Sequence, residues 1–393
     1  MNIDTKVKVK ATMNAETMNQ ITKHTTLEAN FTQRLQDLRR SMEHAGQDAA
    51  LIFSLDNLRY LMNYSGEAAY GLVTQGAMYL ITDYRFIEQA QEECVSEKIP
   101  TTVICRDRDR QNLGQAVAEI LQIERASKVW FEAEHIAVAV WNAIAVENPD
   151  CWFTPSVASL EQQRKTKDLW EIAQIKAAAH IADEALAAIM PQLRVGVSEA
   201  ELALELDYQM QKGGSAGVSF ATILGFGARS ALPHCIPSRK RLQAGDLVVL
   251  DFGAVVNGYR SDMTRSFIAG KSSPLQKALF DTVTAAQQAA FERLRAGVAA
   301  VSANAAAAAV LNASPFAQYA GPGLGHGLGI KLHEQPFISA VCQEYLQENY
   351  VVTIEPGIYI PNYGGVRIED DVLITEQGFE FITHAPKHFE LEI

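Results

Sequence analysis

The stretch LVVLDFGAVVNGYRSDMTRSF, residues 247–267, constrains the fold more than any other part of the chain. An apolar run suited to a buried strand ends on Asp251. Asn257-Gly258 then supplies the turn that two-residue hairpins favour, because both residues tolerate positive φ. Such a turn sets Val256 opposite Tyr259 and fixes every later pair. Asp251 then faces Thr264 and Asp262 faces Gly253, so the two carboxylates share one face as diagonal neighbours about 7–8 Å apart at Cα. Like charges on a half-buried sheet face repel and are costly to desolvate. A pair of this kind shares a proton, meets a cation or stands in solvent.

A second reversal repeats the pattern. In VVTIEPGIYIPNYGGVRIEDDVLIT, residues 351–375, Glu355 follows an apolar run, and a fold symmetric about Asn362 sets it opposite Glu369. Between the two lies GPGLGHGLGIKLHEQPF, with glycines at 321, 323, 325, 327 and 329. They match neither GxGxxG nor GxxxxGK[ST], so a phosphate-loop reading fails. They do let backbone approach closely and leave the imidazole of His326 room to reach an ion. Two Asp, two Glu and one His make an oxygen-rich donor set with a single nitrogen, which suits Mn²⁺, Co²⁺, Fe²⁺ or Zn²⁺ better than Ca²⁺ or Mg²⁺. Four carboxylates can neutralise two divalent ions, and a pair roughly 3.5–4 Å apart would polarise a carbonyl and activate water for hydrolysis.

The rest of the chain frames these motifs. Its 393 residues, 48% hydrophobic and 20% charged, are enough for two domains with a large core. The net charge of −12, without a sustained basic run, predicts neither a nucleic-acid partner nor an anionic membrane surface. Five scattered cysteines (Cys94, Cys105, Cys151, Cys235, Cys342) form no CxxC pair, which suits a reducing cytoplasm rather than a disulfide framework. Residues 1–28 read as an N-terminal extension without the apolar core of a signal peptide. From Phe31 helical and strand patterns alternate: a helix closed by Gly46, then the strand-like AALIF, GAMYLITDYRF, TTVIC and KVWFEA with helices between them, an α/β domain over 29–160. The charged EQQRKTKDLWEI marks the boundary to a catalytic domain over 161–393. There Ser198 and Glu201 form a capping box, and the alanine-rich VAAVSANAAAAAVLN reads as a scaffold helix packed on a sheet.

With these residues in view, the chain resembles the pita-bread metallopeptidases of the Xaa-Pro dipeptidase (prolidase), aminopeptidase P and creatinase branch. The likeness runs over nearly all of residues 29–393 and is sharpest in ALPHCIPSRKRLQAGDLVVLDFGAVVNGYRSDMTRSF, GLGHGLGIKLHE and TIEPGIYIPNYGGVRIEDDVLIT. It implies an α/β creatinase-like N-terminal domain followed by an α+β pita-bread catalytic domain. It implies that Asp251 holds one metal, that His326 and Glu355 hold the other, and that Asp262 and Glu369 bridge them. By the same resemblance Glu355 shuttles protons, His234 and His333 contact the substrate, and Arg367 orients active-site groups or a substrate carboxylate. The expected function is a dinuclear Xaa-Pro dipeptidase, with manganese first among its metals and cobalt, iron or zinc as alternatives. Its substrates would be small peptides with proline second, and the protein a cytoplasmic homodimer. One position departs from the family: many proline-specific relatives have a histidine four residues before the histidine ligand, and here that residue is Pro322. This leaves open an Xaa-Pro aminopeptidase for longer peptides, a creatinase-like C–N hydrolase and an inactive binding module; the complete set of five ligands weighs against the last two. His24, His44, His135, His180, His384 and His388 belong to no motif and read as surface or capping residues, and Cys235 beside His234 as a spectator thiol.

Overall fold

The computed structural model describes residues 28–96, 99–156 and 159–392. The expected N-terminal extension, His24 included, lies outside them except for Glu28. Helix α1 (Phe31–His44) begins where the Asn30 side chain accepts from the Gln33 N–H, and Gly46, at φ 64°, follows its end. Its stripe of Leu35, Leu38 and Met42 is buried. There follow β1 (Ala49–Ile52), α2 (Leu55–Met62), β2 (Tyr70–Thr74), β3 (Met78–Thr82), α3 (Ile87–Cys94) and β4 (Thr101–Cys105). Then come α4 (Leu113–Ile123), β5 (Lys128–Phe131), α5 (Val138–Glu147) and β6 (Trp152–Pro155). The six strands make one mixed sheet in the order β4-β3-β2-β1-β5-β6. Elements α2, β2, α5 and β6 were not expected from the sequence, their segments being too short or too uniformly apolar for periodicity to sort strand from helix.

The second half contains α6 (Ser159–Arg164), α7 (Leu169–Ile189), α8 (Glu199–Lys212), β7 (Ile223–Phe226), β8 (Leu247–Phe252), β9 (Val255–Val256), β10 (Tyr259–Arg260) and β11 (Met263–Ala269). Helices α9 (Pro274–Phe291) and α10 (Ala300–Ala313) lead to β12 (Gly325–Gly327), β13 (Glu334–Ile338), β14 (Val351–Ile354), β15 (Gly357–Ile360) and β16 (Gly364–Arg367). The chain finishes with β17 (Asp370–Ile374), β18 (Phe379–Phe381) and β19 (Glu390–Leu391). One sheet, β19-β11-β8-β7, shares a core with α7 and α8; the other, β13-β12-β14-β17-β18, shares a core with α9 and α10. Helix α10 packs on α9 as well as on β13, so its alanines serve close helix–helix packing in addition to the sheet contact expected for them.

Both hairpins hold the register expected of them. Val256 pairs with Tyr259 and Asp251 with Thr264. In the second, Ile354 pairs with Asp370 and Gly357 with Arg367, so the ladder opens at Glu355 and Glu369 and closes again beyond them.

The charged stretch between the halves is not a solvated linker. Arg164 and Lys167 are 3% and 2% exposed and both face Glu334 of β13. A run of charges reads as surface only while its partners are unknown, and here the partner is far along the chain. The two halves also share apolar packing, with Leu35, Leu38 and Leu61 in one cluster with Ile175, Leu328, Ile330 and Val351.

Candidate metal centre

The two hairpins and β12 converge on a cleft of about 1010 Å³ lined by Asp251, Asp262, His326, Glu355, Arg367 and Glu369, among others. Strand β8 ends its apolar run by presenting Asp251, and Asp262 stands just before β11. The Asp262 N–H donates to Asp371 Oδ2 at 2.9 Å, which fixes the backbone under its carboxylate. Glycines make the third contribution. A Cβ on Gly325 would stand 1.9 Å from the Thr353 carbonyl oxygen, and one on Gly327 2.3 Å from that of Gln335, so only glycines allow β12 between its neighbours.

His326 lies in that narrow strand, 6% exposed. Its Nδ1 is 3.0 Å from the Gly327 carbonyl oxygen, which can only accept, so Nδ1 carries the proton and Nε2 is left with a lone pair. Nε2 faces Glu355 Oε1 at 3.5 Å and Asp262 Oδ2 at 3.6 Å. Burial lowers the imidazole pKa to about 4, so the ring is neutral at physiological pH. A lone pair aimed at carboxylates calls for a cation between them.

The carboxylates point the same way. Facing ligand atoms of Asp262, His326 and Glu369 all lie within 4.8 Å of one another. Burial, reinforced by the charges of Glu369 and Asp251, pushes the Asp262 carboxyl well above its ordinary range. Glu369 is raised likewise by burial and then by Glu355 and Asp251, and burial lifts Glu355 to about 7. Asp251 Oδ1 and Asp262 Oδ1 are buried without a hydrogen-bond partner. Partnerless buried oxygens, a bare imidazole nitrogen and an oxygen-rich donor set are what divalent ions of the Mn²⁺ to Zn²⁺ series take, and a proton on His326 Nδ1 held by a carbonyl is the usual support of a metal-ligating histidine.

Arg367 serves this cluster. It donates from Nη2 to Asp251 Oδ2 at 2.6 Å, from Nε to Thr264 Oγ1 at 2.9 Å, and from Nη1 to the Tyr359 hydroxyl at 2.8 Å and the Pro233 carbonyl at 3.2 Å. Thr264 passes the contact on, donating to Glu369 Oε2 at 2.6 Å. The guanidinium is thus spent on orienting Asp251 and, through Thr264, Glu369. Of the two roles expected for it, this geometry fits the orienting one.

His234 and His333 also line the cleft, both exposed to it. The His333 ring sits edge-on against His326 with centroids 4.4 Å apart, brought there by the turn from β12 to β13 rather than by a helix. The loop carrying His234 is clamped by Glu199, fully buried, which accepts from Phe226 N at 2.9 Å, Ser238 N at 2.9 Å and Arg229 Nε at 3.0 Å. Cys235 is buried, and burial raises its thiol pKa, the behaviour of an unreactive side chain. Thr264, Tyr359, Asp371 and Glu199 are not among the site residues expected from the sequence. Thr264 was legible as the partner of Asp251, but nothing local marked the other three.

Residues 173–376 match metallopeptidase family M24, and residues 34–166 match the creatinase/prolidase N-terminal domain. The chain belongs to metallopeptidase family M24. Among solved structures, a Xaa-Pro dipeptidase from Bacillus anthracis is 35% identical at a TM-score of 0.87, covering 92% of this chain and 100% of that one. An X-Pro aminopeptidase from Thermotoga maritima is 32% identical at a TM-score of 0.83, over 91% and 99% of the two chains. The Xaa-Pro dipeptidase of Pyrococcus furiosus is 42% identical over 57% of this chain and 64% of its own length. This M24 protein is a metallopeptidase with a creatinase-type N-terminal domain and a pita-bread catalytic domain. Among its described residues, no helix is long and apolar enough to cross a membrane.

Proposed function

We propose that this protein is a two-metal Xaa-Pro dipeptidase that cleaves the bond before proline in short peptides. Manganese is its first-choice metal, with cobalt, iron or zinc as alternatives, and it works as a cytoplasmic homodimer. The observation that carries the reading is the bare Nε2 of His326 facing Glu355 and Asp262 at 3.5 and 3.6 Å, beside buried carboxylate oxygens that have no partner. Asp251 would hold one ion, His326 and Glu355 the other, with Asp262 and Glu369 between them. Four carboxylates against the single Arg367 guanidinium leave three net negative charges. One divalent ion cannot cancel them; two leave one positive charge to spare for the oxyanion that develops when a peptide carbonyl is attacked. The ions would supply Lewis acidity to the scissile carbonyl and acidify the attacking water.

The chain's own groups do the rest. Glu355 keeps 29% of its side-chain surface and lines the cleft, placed to take a proton from water and return it to the leaving nitrogen. The proline nitrogen of a tertiary amide has no N–H, so a site for this bond depends on the carbonyl and the ring rather than on a backbone donor. His234 and His333, on the cleft wall, are assigned to the substrate carbonyl and the oxyanion.

A second reading, an Xaa-Pro aminopeptidase for longer peptides, is favoured by one observation. Among the described residues lining the cleft, Arg367 is the one Lys or Arg, and four of its five N–H donors are engaged with Asp251, Thr264, Tyr359 and Pro233. Pro322, which also lines the cleft, offers no donor to a free carboxylate. The deciding experiment strips the protein of metal, restores Mn²⁺, Co²⁺ or Zn²⁺, and compares kcat/KM for Xaa-Pro, Xaa-Ala and Xaa-Pro-Yaa. Xaa-Pro is expected to be cleaved fastest, Xaa-Pro-Yaa second. A higher value for Xaa-Pro-Yaa establishes the aminopeptidase instead, and hydrolysis of neither proline peptide rejects proline specificity altogether.

A further inference from the structure

The His333 ring accepts and donates no hydrogen bond among the described residues. Its place over His326 is therefore set by the backbone of the turn between β12 and β13, and that turn is held from behind. Glu334, next in the chain and 7% exposed, turns its carboxylate back on the loop: Oε1 accepts from the Lys331 N–H at 3.0 Å. The same carboxylate pairs with Arg164 Nη2 and, at 3.3 Å, with Lys167 Nζ. Gly329 makes room for it, since a Cβ there would lie 2.8 Å from Glu334 Oε2. Both cations belong to the stretch that joins the N-terminal domain to α7.

The network continues into that domain. Arg164 Nη1 donates to Asn57 Oδ1 at 2.7 Å, and Asn57 Nδ2 donates to Glu132 Oε1 at 2.5 Å. Glu132 Oε2 in turn accepts from the N–H groups of Phe53 at 2.6 Å and Ser54 at 2.7 Å. Asn57 and Arg164 are almost fully buried. A buried, multiply bonded ion network of this kind is costly to break and holds its members in one arrangement.

We propose that Glu334 is a positioning residue, and that through Arg164 the N-terminal domain holds the substrate-facing His333 in place over the metal-site histidine. The proposal rests on the reading of His333 as a substrate contact. Neither Glu334 nor Arg164 lines the cleft, so each acts only through the turn.

The test is a double-mutant cycle on kcat/KM for an Xaa-Pro peptide, with metal content measured in every variant. Glu334→Gln removes the charge, and Arg164→Met is the milder companion, because it leaves Glu334 paired with Lys167. Each single variant is expected to lose about tenfold to a hundredfold in kcat/KM with its metals retained. In the His333→Ala background the same substitutions are expected to cost less than about twofold, since the residue they position is gone. If Glu334→Gln does not fold, the Arg164→Met cycle decides alone. Full additivity with His333→Ala overturns the positioning role while leaving His333 as a substrate contact. A His333→Ala variant with undiminished kcat/KM overturns both, and metal loss in Arg164→Met shows that the network supports the ligands instead.

Discussion

Asp262→Asn is expected to abolish nearly all peptide hydrolysis and to cost the protein at least one metal ion, while leaving it folded. Asp262 is 5% exposed, its Oδ2 faces His326 Nε2 at 3.6 Å, and its Oδ1 has no protein partner. A ligand placed between two cations is the one position where a neutral amide compensates neither. The fold has less to lose. Without metal, Asp262 is crowded by Glu369, Asp251, Asp371 and Glu355, and removing its charge relieves that repulsion. The metal-free variant should therefore melt no lower than the metal-free parent, whereas the rise in Tm that bound metal gives the parent should shrink.

The pH dependence of the metal-free protein has the same origin. Asp251, Asp262, Glu355 and Glu369 titrate above their ordinary values, so the folded chain holds protons that the unfolded chain releases. Stability of the metal-free parent should fall as pH climbs from ordinary carboxylate values near about 4 through the value of about 7 for Glu355. The decline should be shallower in Asp262→Asn. Metal analysis returning two ions per chain for the variant, or a variant that unfolds with or without metal, contradicts the assignment.

His234→Ala and His333→Ala should behave in the opposite way, keeping their metals and losing kcat by roughly 10²–10³-fold. Both rings stand in the cleft wall, and neither is grouped with the facing atoms of Asp262, His326 and Glu369. The pKa of His333 is lowered by burial and then by the charge of His234, which places the two rings within each other's field. Steady-state kinetics with metal analysis of each variant checks this, and a variant that loses an ion moves its histidine into the ligand set.

The candidate site was legible in the sequence to the extent that short-range geometry built it. A two-residue Asn-Gly turn fixes what lies opposite Asp251, and the reversal about Asn362 does the same for Glu355 and Glu369; both registers are those observed. The role of the glycines around His326 was equally readable, because close approach is a property of glycine wherever it occurs. What could not be read were the contacts made across the fold. Asp371 under Asp262, Glu199 behind the His234 loop and Arg164 against Glu334 each join residues far apart in the chain, and no periodicity encodes such a meeting. The charged EQQRKTKDLWEI could be read only as a boundary, because the buried carboxylate that receives Arg164 and Lys167 lies far along the chain. Arg367 is the converse case. The resemblance left it either to orient active-site groups or to meet a substrate carboxylate, and Asp251, Thr264, Tyr359 and Pro233 take up four of its five N–H donors.

The turn at Pro361, Asn362 and Tyr363 works as a ruler. Pro361 and Asn362 are exposed, in the kind of place where chains ordinarily accept insertions and deletions. Here the strands leaving the turn run in one register through β15 and β16, past the acids, and into β14 and β17. Adding one residue at the tip would slide one arm by a single step, and a single step turns every side chain on that arm to the other face. Glu369 would leave the cleft and Ile368 would take its place. Variation in the length of this surface loop is thus closed to the protein by the acid it carries seven residues further on, and substitutions there remain open.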